Sequence, residues 1–303
     1  MKDVYTLADL RNWSGDDAAV RLGVFGDPVE HSLSPKMQNA ALEKSGIAAR
    51  YAAFHIHPEE LAEALRLLPT RNFIGANLTL PHKVAAAGMV DELETFAAEV
   101  GAVNTIRVEG DKLIGFNTDG PGFARAIRHE FWVDLRDLRV LVFGAGGGVG
   151  QGIARQCARE GCERLVLVNR DRDKAKQLAE ALQPFFKEAR VLGPVARLET
   201  VERTEAALRF QLANTDLVVN ATPLGMKRSD PPVLAESLIA PHLMIYDTIY
   251  APPRTALLKS AVEAGARTAN GLSMLLHQGA LAFEIWFDRD APVDAMRAAL
   301  SEL

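Results

Sequence analysis

The sequence predicts an α/β protein with two domains, and three observations support this prediction. The chain has 303 residues, which is more than most single domains contain. From residue 22 onward, short β-like runs alternate with helical patterns, which indicates βαβ units and mainly parallel sheets. A continuous apolar run at Arg139–Phe143 then begins a second series of the same kind, directly before a glycine-rich turn.

The composition argues against several classes of function. Hydrophobic residues make up 48% of the chain and charged residues 24%, as in a globular protein with a substantial core. The formal net charge of −5 argues against a nucleic-acid surface, because phosphate binding requires clustered positive charge. No apolar run approaches the roughly 18–20 residues of a membrane helix, and no secretory signal is evident. We therefore expect a cytoplasmic protein, monomeric or homodimeric, with a small-molecule ligand and no nucleic-acid or membrane partner.

Neither a disulfide nor a metal site is expected. Cys157 and Cys162 are the only two cysteines, and thiols in a cytosolic chain are more often buried or idle than bridged. The histidines show no metal-ligand spacing with cysteine or acidic residues. The histidines considered are His31, His55, His57, His82 and His277.

The first domain is expected over residues 21–119, after a polar extension at residues 1–20. Its last two strands flank Glu109-Gly110-Asp111, a turn signal typical of a hairpin. The predicted elements in order are strands at 22–25, 51–56, 74–80, 103–108 and 112–116, with helices from Pro35 and over 58–68.

The segment Asn77–Lys83 gathers polar side chains at the end of one of these strands. Asn77 and Thr79 alternate with two leucines, so strand geometry puts both polar side chains on one face. Pro81 has a fixed φ and no N–H, so it ends the strand and can open a helix whose first turn carries Lys83. An amide, a hydroxyl and an ammonium would then converge, which suits a hydroxylated small molecule.

The second domain is expected over residues 120–270, with Gly120–Phe131 as the helix that enters it. From Gly271 onward the chain is helical and amphipathic, and we expect residues 271–303 to return to the first domain. The predicted strands after Arg139–Phe143 are 164–168, 216–220 and 243–246, with a turn-rich loop at 222–232.

The glycine-rich turn after Phe143 predicts a dinucleotide site. Its residues are Gly144, Ala145, Gly146, Gly147 and Gly148. Glycines let the backbone approach a diphosphate, and the N-terminus of the following helix offers unpaired N–H groups and a favourable dipole. The spacing departs from GxGxxG because Val149 stands at the third glycine position and Gly150 comes one residue later. The order of strand, turn and helix still favours a Rossmann-like, doubly wound domain over a tight turn without a ligand.

The next strand ends in Asn169-Arg170-Asp171-Arg172, where such domains distinguish their cofactors. An acidic residue suits the ribose 2′-hydroxyl of NAD, and an arginine suits the 2′-phosphate of NADP. Asn169 is neutral, and Arg170 and Arg172 can hold a phosphate through charge-assisted hydrogen bonds. Asp171 would repel that phosphate if it faced it. The sequence therefore favours NADP, with NAD possible and a solvated charge run as the alternative.

Six polar or glycine-containing motifs stand in order along the chain. They are SLSP at 32–35, NLTLPHK at 77–83, AVNT at 102–105, GFNTD at 115–119, NATPLGM at 220–226 and GLSMLLHQG at 271–279. With these motifs the chain resembles the shikimate dehydrogenases over nearly all of residues 20–303. This family reduces 3-dehydroshikimate to shikimate with NADPH in aromatic amino-acid biosynthesis, and we expect the active site in the cleft between the two domains.

The resemblance implies a role for each matched residue. Lys83 and Asp119 would form the catalytic pair, and Ser32 and Ser34 would bind the substrate carboxylate, with Tyr250 nearby. The ring hydroxyls would be contacted by Thr79, Lys83, Asn104, Asp119 and Gln278, and Asn77 is expected to bind the substrate as part of the same polar segment. The nicotinamide region would be lined by Met226, Ile249 and Gly271, and Thr222 is expected to contact the cofactor.

The chemistry of the pair follows from general principles. Hydride transfer to a ketone leaves a developing alkoxide, which needs a nearby proton donor or cation. The Lys83 ammonium can serve as both, and the Asp119 carboxylate would keep it charged and oriented.

These assignments have alternatives. Ser34 and Asp119 could act only as helix N-caps, Lys83 could be a solvated helix residue, and Gln278 could bond a backbone carbonyl. Many family members have threonine at the position of Asp171, which leaves an NAD-dependent quinate/shikimate dehydrogenase as an alternative. A non-catalytic NADP-binding sensor is an alternative from another class.

Overall fold

A computed structural model describes residues 2, 4–13, 19–187 and 196–301, and the chain forms two compact units. The first unit comprises Met1–Thr118 and Leu275–Leu303, and the second comprises Asp119–Met274. Each unit has its own sheet and hydrophobic core, which confirms the two-domain α/β class. None of the described helices is long and apolar enough to cross a membrane.

The first unit contains a seven-stranded sheet. Its strands are β1 (Val4–Thr6), β2 (Val20–Gly26), β3 (Arg50–His55), β4 (Gly75–Leu78), β5 (Glu92–Leu93), β6 (Thr105–Glu109) and β7 (Lys112–Phe116). Their spatial order is β1-β3-β2-β4-β6-β7-β5. The first four run parallel, whereas β6 is antiparallel to both β4 and β7. The predicted hairpin of β6 and β7 is confirmed, and β7 has the predicted bounds.

The second unit contains a six-stranded, wholly parallel sheet. Its strands are β8 (Arg139–Phe143), β9 (Arg164–Val168), β10 (Leu198–Val201), β11 (Leu217–Asn220), β12 (Met244–Asp247) and β13 (Arg267–Asn270). Their order is β10-β9-β8-β11-β12-β13, so the chain winds outward in both directions from the centre. This is the doubly wound Rossmann order, in which ligands bind beyond the carboxyl ends of the central strands.

Helices surround both sheets. They are α1 (Leu7–Arg11), α2 (Ser34–Lys44), α3 (Leu61–Thr70), α4 (Lys83–Ala86), α5 (Thr95–Val100), α6 (Asp119–Phe131), α7 (Gly148–Arg159), α8 (Arg172–Leu182), α9 (Glu205–Leu212), α10 (Ala256–Glu263), α11 (Leu272–Phe287) and α12 (Val293–Ser301). In the first unit α12 packs on α2, and the buried Gln38 side chain of α2 donates to the Gly279 carbonyl of α11 at 2.8 Å.

The strand β8 is buried on both faces, as its continuous apolar run predicts. Val140 and Val142 belong to one core cluster, and Leu141 and Phe143 belong to another. Side chains of a strand alternate between faces, so β8 lies between two layers of helices. Such a strand holds the turn that follows it in a fixed place.

The prediction of a polar extension at residues 1–20 was wrong for residues 4–11. β1 pairs with β3, and α1 follows it directly. Tyr5, Leu7 and Leu10 are buried in the core of the first unit. Residues 1, 3 and 14–18 of that predicted extension lie outside the described residues.

The two cysteines are free and buried, as predicted. Burial raises the pKa of Cys157 well above its usual value and that of Cys162 to about 12. Both thiols therefore stay protonated near neutral pH and belong to the core of the second unit.

Candidate functional site

Asn77 lies in a buried hydrogen-bond network at the end of β4. Its side-chain amide donates to the Asn104 carbonyl at 3.1 Å and to the Thr105 hydroxyl at 3.0 Å. Its Oδ1 accepts from the Tyr51 hydroxyl at 2.7 Å. Donors and acceptors from β3 and β6 thus fix the orientation of this amide.

Tyr51 extends the network to Ser34. Burial raises the pKa of the Tyr51 hydroxyl well above its usual value, and a hydrogen bond with the Ser34 side chain partly offsets this effect. Tyr51 therefore stays protonated and donates. Ser34 is the first residue of α2, whose N-cap is Leu33, so the alternative of Ser34 as an N-cap is wrong. The network brings Ser34 and Asn77 together, and Ser32 is tied to it because its hydroxyl accepts from the Ser34 N–H at 3.3 Å.

Asn104 is fixed by Thr118. Its Nδ2 donates to the Thr118 hydroxyl at 2.9 Å, and its Oδ1 accepts from the Thr118 N–H at 2.8 Å. Asn104 is only 1% exposed. The AVNT and GFNTD motifs, which lie on either side of the β6–β7 hairpin, therefore meet at one point beside Asn77.

Thr79 and Lys83 follow β4 in a turn and a short helix. The Thr79 N–H donates to the Phe25 carbonyl at 2.9 Å, which ties the turn to β2. Pro81 follows a cis peptide bond, and α4 begins two residues later at Lys83. The Lys83 carbonyl accepts from the Val103 N–H at 2.8 Å. The predicted order of strand, proline and helix is confirmed, and Lys83 is half-buried at the start of that helix.

Gln278 lies on α11, half-buried. Its Nε2 donates to the Leu275 carbonyl at 2.9 Å, which is the backbone alternative considered from the sequence. The next residue, Gly279, lies against α2, because a Cβ there would come within 2.2 Å of the Met37 methyl group. This packing places Gln278 on a helix that contacts the helix of Ser34.

The glycine turn of the second unit has the geometry of a diphosphate site. Gly144 has a φ of +80° and donates from its N–H to the Val168 carbonyl at 2.8 Å. α7 then begins at Gly148. A Cβ on Gly150 would lie 2.2 Å from the Gly144 carbonyl oxygen. Gly150 therefore provides the close helix–turn contact of the third glycine, and the departure from GxGxxG is a shift of one residue.

Asn169 connects this turn to the next loop. Its Oδ1 accepts from the Gly146 N–H at 3.2 Å, and its Nδ2 donates to the Asp171 carbonyl at 2.8 Å. The contact is close, because a Cβ on Gly146 would come within 2.6 Å of the Asn169 side chain. Asn169 thus braces the turn from β9.

Asp171 is the N-cap of α8. Its Oδ1 accepts from the N–H groups of Asp173 at 3.1 Å and Lys174 at 3.3 Å, so the carboxylate is directed to the start of the helix. Arg170 is exposed, and Arg172 forms an exposed ion pair with Glu202. Both residues follow β9, in the segment where the sequence predicts a cofactor phosphate.

Asn220 and Asp247 hold two further loops of the second unit side by side. The Asn220 amide donates to Asp247 at 2.9 Å, and these residues end the neighbouring strands β11 and β12. The Asn220 Oδ1 accepts from both the N–H and the hydroxyl of Thr222, at 3.0 and 2.7 Å. The Asp247 carboxylate accepts from the Ile249 N–H at 3.2 Å. The sequence analysis missed this bracing pair, although Asn220 opens one of its motifs.

Gly271 completes this edge of the sheet. Its N–H donates to the Ile249 carbonyl at 3.1 Å, and a Cβ there would lie 2.0 Å from the Thr248 carbonyl oxygen. Only glycine fits such a position. Met226 is 57% exposed, and Tyr250 is half-buried, with burial raising its pKa.

Asp119 is the first residue of α6 and is 4% exposed. It belongs to the second unit, and Lys83 belongs to the first. The pairing of these two side chains stays a prediction.

Three segments of the chain match known protein-family models. Residues 24–106 match the shikimate dehydrogenase substrate binding domain, and residues 271–300 match the shikimate 5'-dehydrogenase C-terminal domain. Residues 140–228 match the saccharopine dehydrogenase NADP binding domain.

Whole-chain relatives agree with these matches. The shikimate dehydrogenase (NADP(+)) of Methanopyrus kandleri is 41% identical over 283 residues, which are 93% of this chain and 94% of that protein. The crystal structure of Thermus thermophilus shikimate 5-dehydrogenase with NADP(H) and shikimate has a TM-score of 0.81 and 34% identity, covering 93% of this chain and 99% of that one. Quinate dehydrogenase from Corynebacterium glutamicum with NAD has a TM-score of 0.80 and 28% identity, covering 94% of this chain and 99% of that one. The chain therefore belongs to the shikimate dehydrogenase family.

Proposed function

We propose that this protein catalyses the reversible, NADPH-dependent reduction of 3-dehydroshikimate to shikimate. The buried network around Asn77 is the observation that carries the proposal. It joins Ser34, Tyr51, Asn77 and Asn104 in the unit that matches the substrate binding domain. Amides and hydroxyls held in fixed orientations favour a polyhydroxylated ring, because they discriminate between ligands by where the ligand hydroxyl groups stand.

In the proposed reaction the residues of this chain bind the substrate and move one proton. When bound, NADPH supplies the hydride. The Lys83 ammonium gives a proton to the developing alkoxide, and the Asp119 carboxylate keeps Lys83 charged and oriented. In the reverse direction Lys83 takes the hydroxyl proton. Ser32, Ser34 and Tyr250 bind the carboxylate, and Thr79 and Gln278 bind hydroxyl groups.

The second unit supports the choice of NADP. The glycine turn and the N-terminus of α7 fit a diphosphate, as in other dinucleotide sites. Arg170 and Arg172 stand where a 2′-phosphate would need cations, and the Asp171 carboxylate is engaged by α8. The relatives from Methanopyrus kandleri and Symbiobacterium thermophilum, 41% and 42% identical to this chain, carry NADP(+) in their names.

Two other functions remain as alternatives. The quinate dehydrogenase with NAD shows that the same fold accommodates another substrate and cofactor, at lower identity than the shikimate enzymes. A sensor without catalysis would need neither Lys83 nor Asp119, and both are present. A cytoplasmic location and a monomeric or homodimeric state stay predictions from the sequence.

One assay separates these functions. The absorbance of the reduced nicotinamide is followed with shikimate and with quinate, each against NADP and NAD, and kcat/KM is compared over the four combinations. We expect shikimate with NADP to give the highest value. A higher value for quinate with NAD would establish the quinate enzyme, and no turnover in any combination would favour the sensor.

A further inference from the structure

Two histidines and a carboxylate converge at one edge of the first sheet. Asp27 follows β2 directly, His55 ends β3, and His57 comes two residues later. The His55 Nε2 lies 2.8 Å from one Asp27 oxygen, and the His57 Nδ1 lies 3.1 Å from the other. The donor atoms of all three residues lie within 4.8 Å of one another.

The backbone gives these side chains fixed positions. β2 and β3 are paired, with Gly26 opposite His55, so Asp27 and His55 leave the same edge of the sheet. The Ile56 N–H donates to the Gly26 carbonyl at 3.2 Å, and the Asp27 N–H donates to the Leu80 carbonyl at 3.0 Å. Asp27 and His55 are only 29% and 30% exposed, whereas His57 is 52% exposed. An ion at this point would have one open side.

Glu30 provides the outer partner that metal-bound histidines usually have. Its Oε1 lies 3.5 Å from the His55 Nδ1, the ring nitrogen that faces away from Asp27. Its other oxygen accepts from the Val29 N–H at 3.0 Å, which holds the carboxylate in place. A carboxylate on the far ring nitrogen orients a ligating histidine and raises its basicity.

We propose that Asp27, His55 and His57 form a binding site for a divalent transition-metal ion, with Zn²⁺ as its best fit. Imidazole nitrogens suit Zn²⁺, Co²⁺ and Ni²⁺, whereas Mg²⁺ and Ca²⁺ prefer oxygen ligands throughout. Bonds of about 2.0–2.2 Å in a tetrahedron put neighbouring ligand atoms roughly 3.3 Å apart, close to the separations from Asp27. The ion replaces the protons shared between Asp27 and the two imidazoles, and water completes its coordination.

No sequence pattern indicates this site, because its ligands come from the ends of two strands that lie about thirty residues apart in the chain. His55 and His57 alone form a short His-x-His pair without further ligand spacing. The site begins the loop that runs from Asp27 to Ser34, and a bound ion would fix the start of that loop.

Metal binding is tested on the full-length protein without an affinity tag. The readouts are independent of enzymatic activity. Co²⁺ is titrated in and its visible absorption followed, Zn²⁺ is used to compete it off, and the midpoint of thermal unfolding is measured with and without Zn²⁺. We expect one ion per chain, the intense bands of low-coordinate Co²⁺ and a higher midpoint with Zn²⁺, since a ligand of the folded state stabilises it.

Two variants locate the site. His57→Gln and Asp27→Asn should each weaken Zn²⁺ binding by at least about 10-fold, as expected when a ligand of a metal site is removed. His129→Gln is the matched control, because His129 also lies beside an acidic residue, Glu130, but in the second unit. If Asp27→Asn does not fold, the more exposed His57 decides the question. Wild-type affinity in His57→Gln, or no binding to the wild type at millimolar Zn²⁺, would overturn the proposal.

Discussion

Replacing Gly150 with alanine is expected to push α7 away from the phosphate turn. A Cβ at this position lies 2.2 Å from the Gly144 carbonyl oxygen, 2.8 Å from its carbon and 2.9 Å from the Ala145 Cα. These atoms all belong to the backbone, so no side chain can rotate away. The helix must retreat by about 0.8 Å before the closest contact even reaches 3.0 Å, a separation below which real Cβ contacts essentially never fall. Overpacking of this kind costs roughly 1–3 kcal/mol.

Urea and thermal denaturation of the ligand-free protein measure that cost. A loss of about 1–3 kcal/mol in the free energy of unfolding lowers the thermal midpoint by roughly 2–4 °C for each kcal/mol in a unit of this size. The N–H groups of the turn would move relative to α7, so we also expect weaker NADPH binding in a fluorescence titration.

Gly148→Ala is the matched control. Gly148 is the first residue of the same helix, and no atom lies within 4 Å of a Cβ built on it. Alanine there should be neutral or raise the free energy of unfolding by up to ~1 kcal/mol. A wild-type midpoint and wild-type NADPH affinity in Gly150→Ala would refute the close-packing role of this glycine.

Three further substitutions test the proposed site. Lys83→Ala should lower kcat by about 10²-fold or more with a modest change in KM, and full retention of kcat would remove Lys83 from the chemistry. Tyr51→Phe leaves the buried Asn77 oxygen without its donor, so it should lower the free energy of unfolding in urea by roughly 1–3 kcal/mol and raise KM for shikimate. An unchanged KM would confine Tyr51 to a structural role. Asp171→Thr keeps an N-cap for α8, so stability and the ratio of kcat/KM for NADP to that for NAD should change little, whereas a marked shift toward NADP would place the carboxylate at the ribose.

The sequence predicted best those elements whose hydrophobic pattern is complete within the segment itself. β8 and β9 have the predicted bounds because each is a short apolar run buried on both faces. β10 and β13 were missed because Leu198–Val201 is only half-buried and Arg267–Asn270 is mostly polar. These segments are strands because they pair with β9 and β12, and pairing with a distant partner leaves little trace in a local pattern.

The prediction for the N-terminal segment was wrong for the same reason. β1 has three residues, and its partners Ala53–His55 lie about fifty positions later in the chain. A three-residue strand followed by a helix of one and a half turns is too short for hydrophobic periodicity to indicate either element. The pairing of β1 with β3 and the burial of Tyr5, Leu7 and Leu10 distinguish this segment from a polar tail.

In the candidate site, motifs predicted residues but not the groups that hold them. Asn77 was predicted from the polar segment at the end of a strand and Asn104 from the family resemblance, and their binding roles stay predictions. Tyr51 was missed because one tyrosine in the run Tyr51–Phe54 looks like core, and its hydroxyl gains meaning only from Asn77, which lies 26 positions away. The same holds for Asp247, whose partner Asn220 lies 27 positions away. Hydrogen bonds across a sheet join residues that sequence order separates.

The N-cap geometry of Asp171 changes where cofactor selectivity must come from. A carboxylate that accepts two N–H groups of α8 has its charge drawn to the start of the helix, where the helix dipole also stabilises it. Its effect on a 2′-phosphate is then weaker than the sequence alone suggests. The carboxylate that competes with a phosphate for Arg172 is instead that of Glu202, which forms an ion pair with Arg172. An exposed pair of this kind is worth only about 0–1 kcal/mol, so a phosphate monoester with up to two negative charges can compete for Arg172. In the proposed function, NADP preference would depend on Arg170 together with Arg172, whose guanidinium the phosphate would have to take from Glu202.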